Sequence, residues 1–191
     1  MSEISVVIVT YNSTDVVANA ILSVIEDTSV KQCFIVDNDS SDDIIALVAS
    51  INSPKIVLIQ NTENLGFGVA NNIALDQVTT PYALLLNPDA EMDDGAVAIL
   101  LVAAKRYLNA GILTPLLYGA DGETQECYRL DIFRRDVNDG LFFEPDGDMC
   151  ADFLIGAVML LNMKIMRKIG FFDPNIFLYY EDDDLCKKVK K

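Results

Sequence analysis

Runs of β-branched and other apolar residues alternate with helix-periodic segments through the first 108 residues. The predicted strands are Ile4–Val9, Cys33–Val36, Ile56–Ile59 and Tyr82–Leu86. Helical spacing of apolar residues follows each of them, over Thr14–Glu26, Ile44–Ile51, a segment ending at Leu75, and Asp93–Leu108. Continuous apolar strands are typical of sheets covered on both faces. Four successive βα units therefore predict an α/β fold with a mostly parallel central sheet flanked by helices.

The pattern changes beyond Gly111, where Asp121–Asp148 is rich in Gly, Asp and Glu and predicts loops with short antiparallel pieces. Regular secondary structure is predicted again over Ala151–Asn162. A helix over Lys164–Ile169 follows, and then a further helix that still continues at Lys191. Repeats and low-complexity linkers are absent from the sequence, so we predict one domain over residues 1–191. A last helix without a C-cap signal leads us to expect a chain cut off near Lys191.

Charge and residue usage exclude several function classes. The chain has 29 acidic and 14 basic residues and a formal net charge of −15, which argues against a nucleic acid partner. It has no histidine, which excludes a histidine triad, a histidine zinc site and a histidine general base. Its four cysteines form no CxxC pair, and Cys33 in an apolar run predicts a buried thiol. Acid–base chemistry must then use carboxylates, Tyr, Lys or Cys.

The amino terminus and the apolar stretches indicate where in the cell the chain is expected. Ser2 and Glu3 stand where a signal peptide would have a basic region. The longest apolar stretches, Ala96–Ala104 and Phe153–Leu161, are too short to span a bilayer. We therefore expect a cytoplasmic chain without a transmembrane segment, and peripheral attachment at the inner face of the membrane stays open.

Polar clusters stand directly after all four predicted strands of the first half. They are Thr10-Tyr11-Asn12, Asp37-Asn38, Asn61–Asn64 and Asn87–Asp89. Ligands of open α/β sheets bind beyond the carboxyl ends of the strands. The sequence therefore predicts a ligand site at this edge of the sheet.

Two of these clusters allow a structural and a functional interpretation. Asp89 in Asn87-Pro88-Asp89 could hold Mg²⁺ or Mn²⁺ against a diphosphate, but Asn-Pro-Asp is also good turn chemistry. Asp37 and Asn38 could bind a nucleobase or ribose, or the segment through Asp42 could simply cap the next helix. Both interpretations stay open for each cluster.

The two remaining motifs are equally ambiguous. The Asn64–Gly68 loop could approach a ligand or only start a helix, and Asn71 replaces the last glycine of a dinucleotide fingerprint. Glu181–Asp184 suits the start of a helix, yet four adjacent carboxylates exceed what the helix dipole needs. Tyr179 and Tyr180 could form an aromatic wall that raises the pKa of one carboxylate towards that of a general base.

In this order the motifs resemble the family-2 inverting glycosyltransferases, which have the Rossmann-like GT-A fold. The resemblance covers essentially the whole chain and is closest to rhamnosyltransferase-like members. The segments that carry it are Ser5–Asn12, Phe34–Ser40, Asn61–Asn72, Leu85–Ala90, Asp152–Leu161 and Gly170–Cys186. It implies a nucleotide-sugar-binding half over residues 1–110 and an acceptor and catalytic-base half over 111–191.

The resemblance also implies roles for individual residues. Asp182 would be the general base with Glu181 next in line, Asp89 would bind the divalent cation (Mg²⁺ or Mn²⁺), and Gly156 would border the sugar. The expected donor-site residues are Thr10, Tyr11, Asn12, Asp37, Asn38, Asn64, Gly66, Phe67 and Asn87. Asn87 replaces the first Asp of the family's Asp-x-Asp motif, which puts strict metal dependence in doubt.

The reaction implied is transfer from a UDP- or dTDP-sugar to a glycan or lipid-linked acceptor in bacterial surface polysaccharide synthesis. A nucleotide-sugar-binding domain without turnover is the alternative. A nucleotidyltransferase would need a basic glycine-rich loop near the first strand, and residues 10–20 contain no Gly, Lys or Arg. The sequence does not indicate the oligomeric state.

Overall fold

The computed structural model describes residues 2–130 and 144–190 of the chain. The first half has the elements β1 Ile4–Thr10, α1 Val17–Ile25, β2 Val30–Asp37, α2 Ile44–Ile51, β3 Ile56–Gln60, α3 Phe67–Leu75, β4 Tyr82–Leu86 and α4 Ala96–Arg106. The second half has β5 Ile112–Leu113, β6 Leu117–Tyr118, β7 Thr124–Gln125, β8 Tyr128–Arg129, β9 Phe153–Leu154, β10 Val158–Asn162, α5 Met163–Ile169 and α6 Glu181–Val189. Part of the predicted loop region 121–148 lies outside the described residues.

The central sheet has six strands in the order β3-β2-β1-β4-β10-β5. Strands β1 to β4 are parallel, whereas β10 runs antiparallel to both β4 and β5. Two small antiparallel pairs, β6 with β7 and β8 with β9, complete the second half. The prediction of an α/β fold with a mostly parallel sheet and a mixed carboxyl-terminal part is confirmed.

Side chains alternate between two cores, one on each face of the sheet. In β1, Ile4, Val6 and Ile8 belong to the first core, whereas Val7 and Val9 belong to the second. Helices α1, α2 and α4 cover the first core, and α3, α5 and α6 cover the second. Complete burial of one such side chain contributes about 1.5–3 kcal/mol, so the doubly covered strands hold the sheet together.

Three predicted helix boundaries were wrong. Helix α4 begins only at Ala96 because Gly95 before it has a φ of 80° and a left-handed conformation. Helix α1 begins at Val17, three residues later than predicted. Helix α6 ends at Val189 rather than continuing, and Lys191 lies outside the described residues.

The prediction that Cys33 is a buried thiol is confirmed. The side chain is fully buried, and burial raises its pKa to about 12. Across the described ranges, no helix combines the length and the apolar character that crossing a bilayer requires.

Candidate active site

The strand order reverses between β1 and β4, because β2 and β3 lie on one side of β1 and β4 lies on the other. Loops that leave the carboxyl ends of two such strands go to opposite faces, which opens a crevice between them. The polar clusters predicted from the sequence stand at this edge of the sheet. Thr10 at the end of β1 pairs in register with Asp37 at the end of β2, and Asn87 directly follows β4.

Asn38 is the centre of the polar network at this edge. Its side chain is 2% exposed and donates from Nδ2 to Asn64 Oδ1 at 2.7 Å. Its Oδ1 accepts from Asn61 Nδ2 at 3.0 Å and from the backbone N–H of Leu65 at 3.1 Å. A buried amide is costly unless it is hydrogen-bonded. Asn38 therefore holds the β3–α3 loop against the end of β2, which makes it a positioning residue.

Asn12 performs a similar task between the first two loops. Its backbone N–H donates to Ser40 Oγ at 3.0 Å, and its Oδ1 accepts from the Ser41 N–H at 2.8 Å. The backbone N–H and the Oγ1 hydroxyl of Thr14 both donate to Asp42 Oδ2, at 2.9 and 2.8 Å. The β1–α1 and β2–α2 loops are thus bonded to each other, with the neighbouring Tyr11 half exposed.

The predicted cap of α2 was misplaced by one residue. Asp43 is the N-cap, and its side chain accepts from the Ala46 N–H at 3.3 Å. Asp42 instead bonds Thr14, and Asp37 Oδ1 accepts from the Ser40 N–H at 3.1 Å. Asp37 is 4% exposed and Thr10 is fully buried. Contact of these two residues with a nucleotide stays a prediction.

Gly66 allows an unusually close approach between two distant segments. Its φ of 81° and ψ of 170° belong to a region that is essentially restricted to glycine. A Cβ atom there would lie 2.3 Å from the carbonyl oxygen of Phe177, to which the Phe67 N–H donates at 3.1 Å. Gly66 therefore lets the segment before α6 pack on the start of α3.

Asn72 fastens the same two segments and was not singled out by sequence reasoning. Its Nδ2 donates to the Phe172 carbonyl at 3.0 Å, and its Oδ1 accepts from the Phe172 N–H at 3.1 Å. Phe67 and Phe172 also pack edge to face, with ring centroids 6.0 Å apart. The available signal was Asn71-Asn72 inside a helix, because Asn is a poor residue for helix interiors.

Asn87 and Asp182 are brought together through two intervening residues. The Asn87 N–H donates to the Ala157 carbonyl at 2.9 Å, and the Gly156 N–H donates to Asp182 Oδ2 at 3.2 Å. Asp182 Oδ1 accepts from the Asp183 N–H at 2.9 Å. A carboxylate held at both oxygens thus stands next to Gly156, beside the carboxyl end of β4.

Asp89 lies in a turn closed by a bond from the Ala90 N–H to the Asn87 carbonyl at 3.1 Å, and its side chain is exposed. Both sequence interpretations are compatible with this geometry, since a turn can present a carboxylate. Within the described ranges, no group of three or more His, Cys, Asp or Glu residues could hold a metal ion by itself. One carboxylate completed by ligand phosphates is, however, the usual form of a Mg²⁺ site.

Glu181, like Asp37, carries a buried carboxyl group. It is 8% exposed, and its Oε2 has no hydrogen-bond partner among residues 2–130 and 144–190. Burial raises the pKa of the Glu181 carboxyl, and the charges of Asp182 and Asp183 add to the effect. Tyr179 and Tyr180 lie mostly exposed, so the predicted aromatic wall around a carboxylate was wrong.

We expect Gly66→Ala to destabilise the protein more than Gly170→Ala. Gly170 has nearly the same backbone angles, a φ of 87° and a ψ of 166°, but open space where its Cβ would lie. Alanine is unfavourable at these backbone angles in both variants, but only at position 66 does its Cβ atom clash with the Phe177 carbonyl oxygen. Thermal unfolding of both variants measures the difference. Equal destabilisation would contradict the close packing of Gly66 against Phe177.

We expect Glu181→Gln to stabilise the protein at neutral pH relative to the wild type. Because the pKa is raised by folding, stability is lost as pH rises from the unfolded-state value through the folded-state value. Glutamine removes this loss, so the advantage of the variant should grow as pH rises above 4.5, the usual pKa of a glutamate side chain. Unfolding midpoints measured from below this value to neutral pH test it, with the exposed Glu63→Gln as control. A constant difference between variant and wild type would count against a buried carboxyl.

Comparison with known proteins identifies a family and several relatives of the chain. The family described as Glycosyl transferase family 2 matches residues 5–170. The low-salt glycan biosynthesis hexosyltransferase Agl10 of Haloferax volcanii is 22% identical, over 100% of this chain and 62% of its own. The N-acetylglucosaminyl-diphospho-decaprenol L-rhamnosyltransferase of Mycobacterium tuberculosis is 27% identical, over 81% of this chain and 59% of its own. The chain thus spans about three fifths of these relatives.

Solved structures show the same fold at lower identity. S. aureus TarS 1-349 in complex with UDP has a TM-score of 0.72 and 16% identity, over 98% of this chain and 54% of that one. The mannosyltransferase PcManGT of Pyrobaculum calidifontis, in complex with GDP-Man and Mn²⁺, has a TM-score of 0.69 and 16% identity, over 98% and 51%. The matched family covers most of the chain, and its GT-A fold agrees with the strand order and the crevice: the chain belongs to glycosyl transferase family 2.

Proposed function

We propose that the chain transfers a sugar from a nucleoside-diphosphate sugar to a hydroxyl of a glycan or lipid-linked acceptor, with inversion at the anomeric carbon. The observation that carries the proposal is the Asp182 carboxylate, held by the Gly156 N–H beside the end of β4. Family membership and relatives named as hexosyl- and rhamnosyltransferases support the same reaction class.

The reaction requires one base and no enzyme nucleophile. The acceptor oxygen forms a bond to the anomeric carbon on the face opposite the diphosphate. The bond from that carbon to the phosphate oxygen breaks, and its electron pair leaves with the nucleoside diphosphate. Asp182 takes the proton of the acceptor hydroxyl, a role that a carboxylate can fill in a chain without histidine. Its two backbone hydrogen bonds keep it oriented for this step.

A divalent cation, Mg²⁺ or Mn²⁺, fits the residues at the end of β4. Asp89 would supply the carboxylate ligand and Asn87 a neutral oxygen or a hydrogen bond to a bound water. The mannosyltransferase with Mn²⁺ bound supports a cation in this fold. When bound, the ion would neutralise negative charge on the departing diphosphate.

The nucleotide would lie in the crevice bordered by the loops after β1, β2 and β3. Tyr11 and Asn12 are exposed there, whereas hydrogen bonds among Asn38, Asn64 and Gly66 hold the adjoining loop in place. We propose a UDP- or dTDP-sugar as donor, and the fold neighbour with UDP bound supports the first of these.

For the acceptor we propose an N-acetylglucosamine head group, free or linked to a lipid, as in the name of the mycobacterial relative. An acceptor in a lipid would bring the chain to the inner face of a membrane. The cytoplasmic location and the role in bacterial surface polysaccharide synthesis stay predictions.

Calorimetric titration of UDP and of dTDP tests the donor site. We expect at least one nucleotide to bind with Mn²⁺, and binding to weaken with EDTA. Asp89→Ala should reduce binding in Mn²⁺ to the level seen with EDTA, whereas Asp94→Ala, which removes an exposed carboxylate nearby, should bind like the wild type. If neither nucleotide binds under any condition, the donor-site assignment fails.

Transfer from UDP- and dTDP-hexoses to octyl N-acetyl-β-glucosaminide tests the base. Asp182→Asn should lower the rate by about 10²–10⁴-fold, because the amide cannot accept the proton. Its nucleotide affinity should stay unchanged. Undiminished transfer in Asp182→Asn would refute the role of the base, and nucleotide binding without any transfer by the wild type would favour a binding domain.

A further inference from the structure

Four adjacent large side chains lie on the surface immediately before α6. Phe177, Leu178, Tyr179 and Tyr180 are 57%, 49%, 73% and 62% exposed, and we call this segment the aromatic ridge. Tyr179 is the most exposed large apolar or aromatic residue of the described chain. Single exposed apolar side chains are ordinary, but a contiguous group of them marks an interaction site.

The backbone of the aromatic ridge is strained. Tyr179 and Tyr180 have φ angles of 64° and 68°, so two consecutive residues with side chains adopt the left-handed conformation. Glycine, Asn or Asp would adopt it more easily, and bulky residues rarely do. Strain of this kind persists where the surrounding structure imposes it, and it concentrates at functional positions.

Backbone hydrogen bonds hold the aromatic ridge at both ends. The Phe67 N–H donates to the Phe177 carbonyl at 3.1 Å, and the Asp184 N–H donates to the Tyr180 carbonyl at 3.0 Å. Gly66 fits against Phe177, as described above. The exposed rings therefore project from an anchored backbone rather than from a free loop.

The aromatic ridge ends next to the proposed base. Tyr180 is the N-cap of α6, and Asp182 follows two residues later. A hydroxyl that gives its proton to Asp182 must come within hydrogen-bond reach of it. The molecule that carries this hydroxyl therefore lies beside the aromatic ridge.

We propose that the aromatic ridge is a platform on which a sugar ring of the acceptor stacks, with Tyr179 and Tyr180 supplying the rings. This inference rests on the proposed function. A pyranose has an apolar face of C–H groups, which packs on aromatic rings, and an edge of hydroxyls, which bonds carboxylates. Rings followed closely by the partly exposed Asp182 carboxylate match both features.

A membrane surface is the main rival occupant, since exposed aromatic side chains also suit the bilayer interface. The charges beside the aromatic ridge favour the sugar. The partly exposed Asp182 and Asp183 follow it within three residues, and the whole chain has a formal net charge of −15. Like charges would repel an anionic lipid surface, whereas a neutral sugar is not repelled.

Saturation-transfer NMR with methyl N-acetyl-β-glucosaminide tests the platform, on the chain in the presence of UDP and Mn²⁺. Tyr179→Asn and Tyr180→Asn remove one ring each, and Asn tolerates the left-handed backbone. Each should weaken glycoside binding roughly two- to tenfold and reduce saturation of the ring C–H protons. Tyr179→Phe and Tyr180→Phe keep the ring and should bind like the wild type.

Tyr107→Asn, which removes a tyrosine ring just beyond the last residue of α4, is the matched control and should not affect glycoside binding. The unfolding midpoint of Tyr179→Asn should equal or exceed that of the wild type. Glycoside binding that is undetectable in the wild type, or unchanged in both Tyr179→Asn and Tyr180→Asn, would overturn the platform. A loss of binding seen with octyl N-acetyl-β-glucosaminide but not with the methyl glycoside would also overturn it, because the aromatic ridge would then bind the alkyl chain. UDP affinity, titrated separately, shows whether the donor site itself has failed.

Discussion

The complete burial of β1 is the constraint on which the rest of the structure depends. All seven of its residues are buried, and it pairs in parallel with β2 on one side and β4 on the other. A strand in this position needs apolar side chains on both faces and hydrogen-bonding partners along both edges. Its carboxyl end therefore lies in the middle of the molecule, and the crevice opens there because the chain crosses over between β1 and β4.

The polar residues at this edge depend on one another. Asn38 joins the end of β2 to Asn61 and Asn64, and Asn12 joins the first loop to the second. The buried Asn38 amide would be costly alone, and Asn61 and Asn64 satisfy it. The loops that border the proposed donor site are thereby held in place before any ligand binds. On the far side, Gly66 and Asn72 fasten α3 to the segment that carries the proposed base.

The sequence predicted the βα alternation because hydrophobic spacing is a local property. Helix α2, the four parallel strands and the polar clusters after them were found where the pattern placed them, although β2 begins at Val30, three residues before the predicted Cys33. Two other errors came from contacts over distance. Asp42 was taken as part of a cap but bonds Thr14, 28 residues earlier. Tyr179 and Tyr180 were expected to surround a carboxylate, yet the fold turns them outward, because anchored neighbours impose their backbone conformation.

The sequence by itself determined the fold class, the edge of the sheet at which the polar clusters stand, and the order of the motifs along the chain. Only the tertiary structure decided that β4 pairs with β1, that β10 enters the sheet antiparallel beside it, and that Gly156 contacts Asp182. The physical reason is that spacing within a segment specifies which face is apolar but not which distant face it meets. Pairing depends on the packing of both cores at once, which no single segment encodes.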